Sequence, residues 1–142
     1  MRSLFDVNFL IALFTPSHVH AHRAHAWWQE NGAFGWASCP LTQNGFVRIT
    51  SQPAFPHAST TLNTLDKLRQ AIAGTSHEFW ADELSIMDEN VFDTRFILGH
   101  RQVTDTYLLA LAVRNKGRLV TLDRSIQLAA VKEARPDNLL TV

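Results

Sequence analysis

The segment GHRQVTDTYLLALAVRNKGRLVTLDR, Gly99 to Arg124, decides the fold. It reads as a loop, a helix, a tight stop and a buried strand. Thr104 is the expected N-cap, because its side-chain oxygen can accept from backbone N–H groups left free at a helix start. Asp105 then falls in the first turn, where the helix dipole favours a negative charge. Tyr107 to Val113 is almost wholly apolar, so most of this helix should be buried. Gly117 is expected to take the left-handed conformation that closes a helix. Arg118 to Leu122 follows as a short β-rich run, and Asp123 stands where that strand should end. The whole is half of a parallel α/β unit, with one carboxylate at a helix start and another at a strand end.

In open α/β sheets, ligands bind beyond the carboxyl ends of the strands. Two acids held there repel unless a cation or a proton intervenes. The natural occupant is a hard divalent ion, Mg²⁺ or Mn²⁺, which prefers oxygen ligands. Taken singly, Asp105 is an ordinary first-turn acid and Asp123 an ordinary turn residue. The N-terminal end changes that weighting. Ser3 to Phe5 is a strand candidate, Asp6 ends it, and Val7 to Phe14 is an apolar helix candidate. Asp6 therefore has the same placement as Asp123. The run D-V-N-F-L departs from the D-x-D-x-T pattern of aspartyl-nucleophile phosphatases, since Asn8 and Leu10 replace the second acid and the Thr. Asp6 is accordingly read as a metal ligand and not a covalent nucleophile, with Asn8 supporting its turn through a side-chain hydrogen bond.

A chain of 142 residues suits one domain, 1–142, with one core. Hydrophobic content of 46% and charged content of 18% are globular values, not those of a disordered chain. Zero formal net charge argues against a protein coated in basic charge but permits a local basic patch. The single cysteine, Cys39, cannot make an intrachain disulfide; it fits a reducing cytoplasm and reads as a small buried residue. No apolar run reaches the length of a membrane span, and no cleavable signal segment is read at the start. The expectation is a cytoplasmic protein.

Between the two ends, His18, His20, His22 and His25 cluster before Trp27 and Trp28. On one helix, His18 and His22 would lie a turn apart, as would His22 and His25. Zinc can use that spacing, but the third ligand and base of an H-E-x-x-H pattern are missing. The plainer reading is a half-exposed helix with Ala24, Trp27 and Trp28 inward and the histidines outward. Asn31-Gly32 breaks it. Gly35 to Ser38 is a second strand candidate, and Pro40 suits the first turn of the helix that follows. That helix carries Gln43 and Asn44 near its start and Arg48 beyond them. Arg48 is a candidate phosphate contact, or else a surface arginine. Ala58 to Ala73 reads as an amphipathic helix with Leu62, Leu65, Leu68 and Ile72 on one stripe. His77 to Trp80 is a strand candidate, and Asp82 to Phe92 a loop with a short helix. Ser125 to Val131 is a last helix candidate, and Leu139 to Val142 a final edge strand.

Asp6 in LFDVNFLIAL, Asp105 in GHRQVTDTYLLALAV and Asp123 in GRLVTLDR together resemble the PIN-domain ribonucleases, most closely the toxin subunits of VapBC-type toxin–antitoxin pairs. The likeness runs from the first strand to the TLD segment. It implies an α/β fold, a PIN-like three-layer α/β/α sandwich on a central, mainly parallel sheet. It implies Mg²⁺-dependent endonucleolytic cleavage of structured RNA such as tRNA or rRNA, with Mn²⁺ as an alternative ion. It also implies a homodimer and neutralisation by a small VapB-type antitoxin. On this resemblance Asp6, Asp105 and Asp123 are the metal-binding acids, and Thr121 is a supporting hydroxyl. The remaining family acid is normally a Glu early in the helix after the second strand. Here Gln43 stands in its place within CPLTQNGFVR. Glutamine keeps the shape and a carbonyl oxygen but carries no charge and accepts no proton. Two readings follow: an active ribonuclease toxin, or a catalytically weakened module that binds RNA or antitoxin. A third, a phosphoacceptor signalling domain, would require paired acids after the first strand and a buried late lysine. Phe5 and Val7 flank Asp6, and no lysine answers that description.

Overall fold

In the computed structural model, which describes residues 1–142, five strands form one sheet whose neighbouring pairs all run parallel. They are β1 Ser3–Phe5, β2 Trp36–Ser38, β3 His77–Phe79, β4 Arg118–Thr121 and β5 Leu139–Thr141, and their spatial order is β3-β2-β1-β4-β5. Helices α1 Val7–Phe14, α2 Ala21–Asn31, α3 Pro40–Thr50, α4 Thr61–Ala73 and α5 Val103–Arg114 lie between them in sequence, supplying the crossovers that parallel strands require. Side chains of the strands alternate between two apolar layers at period two. Leu4, Ala37 and Leu119 join Leu108 and Leu111 of α5, with Trp80, Phe92, Ile126 and Val131 from the loops. Phe5, Trp36 and Val120 join the opposite layer, with Phe9 and Leu10 of α1, Ala24 of α2, Phe46 of α3 and Leu68 of α4. The expected α/β/α sandwich on a parallel sheet is what forms.

The chain builds outward from β1 to β2 and β3, then α5 carries it across the other face to return beside β1 as β4. The topological switch therefore falls between β1 and β4, paired from Ser3↔Arg118 to Phe5↔Val120. A crevice outside the carboxyl ends of those strands is where open sheets bind ligands. Asp6 leaves β1 there, and Asp123 leaves β4 there.

Several local expectations are corrected by the surrounding structure. Thr104 does not cap α5. A single 3₁₀ turn at His100–Gln102 runs directly into the helix, whose boundary residue is Gln102 and which has no side-chain cap. Gly117 does not hold the left-handed position; Lys116 does, at φ 55°. The closure is a Schellman motif, with Gly117 N–H donating to Ala112 O at 2.8 Å and Lys116 N–H to Val113 O at 3.0 Å. Gly117 is required for another reason: a Cβ there would lie 2.7 Å from both Arg2 O and Trp80 Cη2. Ser125 to Val131 forms no α-helix, only a 3₁₀ turn at Leu128–Ala130. The Ser125 N–H is taken by Asp123, and Val131 is fixed in an antiparallel bridge to Phe92. Asp82 to Phe92 contains no helix. In α4, capped by Thr60, Leu68 is buried but Leu62 is 64% exposed, so the apolar stripe is shorter than its spacing predicts.

Candidate active site

Asp6 ends β1 and caps α1. Its Oδ1 accepts from the Phe9 N–H at 2.7 Å, while its own N–H remains in the sheet, donating to Val120 O at 3.1 Å. The Thr121 hydroxyl donates to Asp6 Oδ2 and accepts from the Asp123 N–H at 2.9 Å. Asp123 Oδ1 accepts from the Ser125 N–H at 2.8 Å. Ser125 Oγ in turn accepts from Gln102 Nε2 at 3.1 Å, at the boundary of α5 and three residues before Asp105. A continuous line of hydrogen bonds thus runs from the end of β1, through the end of β4, to the start of α5.

The electrostatics report the same convergence. Asp6 is 1% exposed, and burial pushes its carboxyl up to about 6, against the opposing hydrogen bonds from Thr121 and Phe9 and with a further push from Asp123. Asp105 rises further, to about 7, through burial and then through the charges of Asp6 and Asp123, with no hydrogen bond to offset them. Burial and like charge both disfavour an ionised carboxylate, so two of the three acids take up protons near neutral pH. All donors are hard oxygens, which suits Mg²⁺ or Mn²⁺. The trio is not a closed cage: no three His, Cys, Asp or Glu side chains are drawn together as a complete ligand set. Such an open arrangement of carboxylates fits an ion that keeps several of its waters.

The other candidate residues fall outside this line. Asn8 is exposed and takes no part in the Asp6 turn, because the carboxylate itself supplies the cap. Gln43 lies in the first turns of α3, whose Gly45 packs so closely on α1 that a Cβ would sit 2.7 Å from Val7 Cγ2. The Gln43 amide nitrogen donates to Ser38 Oγ at 2.9 Å, and not to the acids. Gln43 and Arg48 line a groove of about 590 Å³ between α3 and α4, with Val47, Leu65, Leu68 and Arg69. The histidine cluster is divided: α2 begins only at Ala21, so His18 and His20 precede it and the His18–His22 helical spacing is lost, while His22 and His25 remain a turn apart on α2. His22 and His25 face outward, while Trp27 meets Phe5 and Phe9 edge-on.

Sequence reasoning missed Ser38, Gln102 and Ser125, and the arginines that flank the last two. Arg101 and Arg124 are exposed, and the Gln102–Ser125 bond ties their two turns together beside Asp105 and Asp123. Neither is among the residues in ion pairs, which are Arg2–Glu78, Arg69–Asp66, Arg95–Asp93 and Arg114–Glu83. The only available signal was a basic residue adjoining each acidic turn.

No protein-family model matches the chain. Individual relatives do. Ribonuclease VapC44 of Mycobacterium tuberculosis is 47% identical over 142 residues, the whole of both chains. Ribonuclease VapC38 of the same organism is 42% identical over 142 residues, 99% of each chain. This chain belongs to the VapC family of PIN-domain ribonucleases. Ribonuclease VapC39, also from M. tuberculosis, is 39% identical over 127 residues, covering 89% of this chain and 91% of its own length. The VapC resemblance read from Asp6, Asp105 and Asp123 therefore extends to full-length similarity. No helix is long and apolar enough to cross a membrane.

Proposed function

We propose that this VapC-family protein is an endoribonuclease toxin that cleaves structured RNA, tRNA or rRNA, with Mg²⁺, and that a VapB-type antitoxin neutralises it. The observation that carries the reading is the coupling of Asp6, Asp105 and Asp123 at the β1/β4 switch, in a chain similar along its whole length to ribonuclease VapC44. Asp6, Asp105 and Asp123 would hold Mg²⁺ or Mn²⁺. Bound there, the ion would offset phosphate charge and lower the pKa of a water molecule. One Thr121 hydroxyl holds both the Asp6 carboxylate and the Asp123 backbone N–H. Gln43 lines the α3–α4 groove with a neutral amide. Arg101 and Arg124, with Arg48 further along α3, would take RNA phosphates, a term that fixes position without reading sequence.

The antitoxin is expected to place an arginine in the acidic cleft, where a planar guanidinium can pair with two carboxylate oxygens. A homodimer is part of the same proposal. The test is cleavage of a folded tRNA and an rRNA stem-loop by the purified protein with Mg²⁺, with EDTA and with Asp105→Asn. Cleavage restricted to the metal-loaded parent protein is expected. A second reading, a binding module with weak catalysis, is favoured by the neutral Gln43 amide fixed to Ser38. Equal RNA retention by parent and Asp105→Asn proteins, without cleavage by either, would select it.

A further inference from the structure

Gln43 stands where the family resemblance implies a glutamate, and its side chain is not loose. Gln43 Nε2 donates to Ser38 Oγ at 2.9 Å, and Ser38 Oγ lies 2.8 Å from His77 Nε2. Ser38 is the last residue of β2 and 1% exposed. His77 is the first residue of β3, with its ring 4.5 Å from that of Trp36, edge-on. Trp36 pairs with His77 and Ser38 with Phe79 across the two strands, so Ser38 and His77 are diagonal neighbours on one face of the sheet.

The direction of these bonds follows from counting protons. A serine hydroxyl has one proton and two lone pairs. Ser38 Oγ accepts from Gln43, and a buried hydroxyl proton needs an acceptor of its own. His77 Nε2 supplies it only when unprotonated, so the imidazole is the neutral tautomer with its proton on Nδ1. The surroundings agree. His77 is pushed below its ordinary value by burial and by the Arg2 guanidinium, with Glu78 opposing. Arg2 and Glu78 are the charged groups facing the ring, and they pair with each other at 2.7 Å. Arg2 also donates to Trp36 O and Ser76 O, both at 3.1 Å.

We propose that Ser38 and His77 are a positioning pair that holds the Gln43 amide by its nitrogen, so that its carbonyl oxygen is the acceptor presented to the α3–α4 groove. The same pair makes an amide, and not a carboxylate, the fitting group at position 43. A glutamate there has no N–H to give Ser38. It would take the Ser38 proton and leave His77 Nε2 without a donor. A proton on His77 Nε2, carried by the other neutral tautomer or by the imidazolium, restores the network in reverse, with Nε2–H donating to Ser38 and the Ser38 hydroxyl donating to the carboxylate. Residue 43 and the proton on His77 are therefore coupled through one hydroxyl. The functional weight of that coupling rests on the reading of Gln43 as part of the RNA site; the coupling itself does not.

The experiment is an NMR titration of the full chain, with the His77 ring assigned by its loss in His77→Gln. In the parent protein the Gln43 side-chain amide signals should move with the same midpoint as the His77 ring. Amide signals that stay flat while His77 titrates overturn the proposal without any further variant. Gln43→Glu should raise the His77 midpoint by about one pH unit, a tenfold gain in proton affinity. In Ser38→Ala/Gln43→Glu, less than about a third of that rise should remain, since removing the shared partner removes the pairwise term. An unchanged midpoint in Gln43→Glu, or a full rise that persists without Ser38, would show simple charge proximity or no contact and sink the relay. RNA cleavage is scored separately. A parent protein that cleaves nothing with Mg²⁺ overturns the ribonuclease reading and leaves the titration result standing.

Discussion

Asp105→Asn should stabilise the metal-free protein while abolishing its chemistry. Asp105 is raised from 3.8 to about 7 by burial and by the charges of Asp6 and Asp123. At ~1.36 kcal/mol for each tenfold change in proton affinity, that rise sets a ceiling near ~4 kcal/mol for the cost of ionising it in the fold. The carboxylate is only partly buried, and solvent screening reduces the expected gain to about 1–3 kcal/mol. For a domain of this size that is a rise in Tm of roughly 3–10 °C. The sign follows from linkage. A carboxyl whose folded pKa lies above its unfolded value binds protons more tightly when folded, so its contribution is intact below about pH 4 and is lost as pH rises through about 7. The gain from Asn should therefore be absent at about pH 4, grow across the window and level off above about pH 7. The assay is thermal unfolding in EDTA from pH 4 to 8, parent against variant. A variant no more stable than the parent at pH 8, or a gain that does not depend on pH, would refute the claim that Asp105 sits in a repulsive carboxylate site.

Thr121→Val keeps the shape but removes the hydroxyl shared by Asp6 and Asp123. It should cost about 1–3 kcal/mol in urea unfolding and lower kcat more than it weakens RNA binding. Arg101→Ala with Arg124→Ala should weaken RNA binding and reduce the log–log salt slope by about 2, one phosphate contact each; fluorescence anisotropy at several salt concentrations measures both. On the family resemblance, Gln43→Glu restores the expected fourth acid. It should raise cleavage at least about tenfold, which needs only ~1.4 kcal/mol at the transition state; an unaltered rate and unaltered Mg²⁺ titration would place residue 43 outside the catalytic shell. Replacing the proposed cleft-filling arginine of the antitoxin by alanine should weaken inhibition, and calorimetry showing the same affinity for both antitoxins would discard that contact.

The three aspartates are legible in the sequence because each stands where an apolar run changes period: Phe5 to Val7, Thr104 to Thr106 and Thr121 to Ser125. Such junctions fall at the sheet's carboxyl edge in any parallel α/β arrangement. The parallel order and the five helices follow from the same alternation. What stays hidden depends on contacts between residues remote in sequence. Gly117 looks like a helix stop, but its lack of a side chain answers the approach of Arg2 and Trp80. Ser125 to Val131 has helical spacing, yet the bridge between Val131 and Phe92 and the Asp123 turn at Ser125 leave room only for a 3₁₀ turn. Leu62 shares the spacing of Leu65 and Leu68 but stays exposed at the start of α4. Ser38 and His77 are 39 residues apart, and neither carries a local signal of its partner.

The same arrangement that makes the site legible also makes it costly. Thr121 and Phe9 each give Asp6 a hydrogen bond, yet burial still raises its carboxyl to about 6, so local donors do not fully offset desolvation. Asp105 lacks even those. Evenly spaced surface acids would avoid the penalty, but they would not offer a partly dehydrated cleft where a cation interacts more strongly than in water. A divalent ion and an antitoxin guanidinium would relieve the same repulsion, so their binding should be mutually exclusive at Asp6, Asp105 and Asp123. Gln43 fits this balance. A carboxylate at position 43 would add a charge to α3, whereas the amide is held by Ser38 without adding any. Stability of the unliganded fold and strength of the proposed cation site are thus opposed at Asp6 and Asp105, whose burial disfavours the charge that an ion would use.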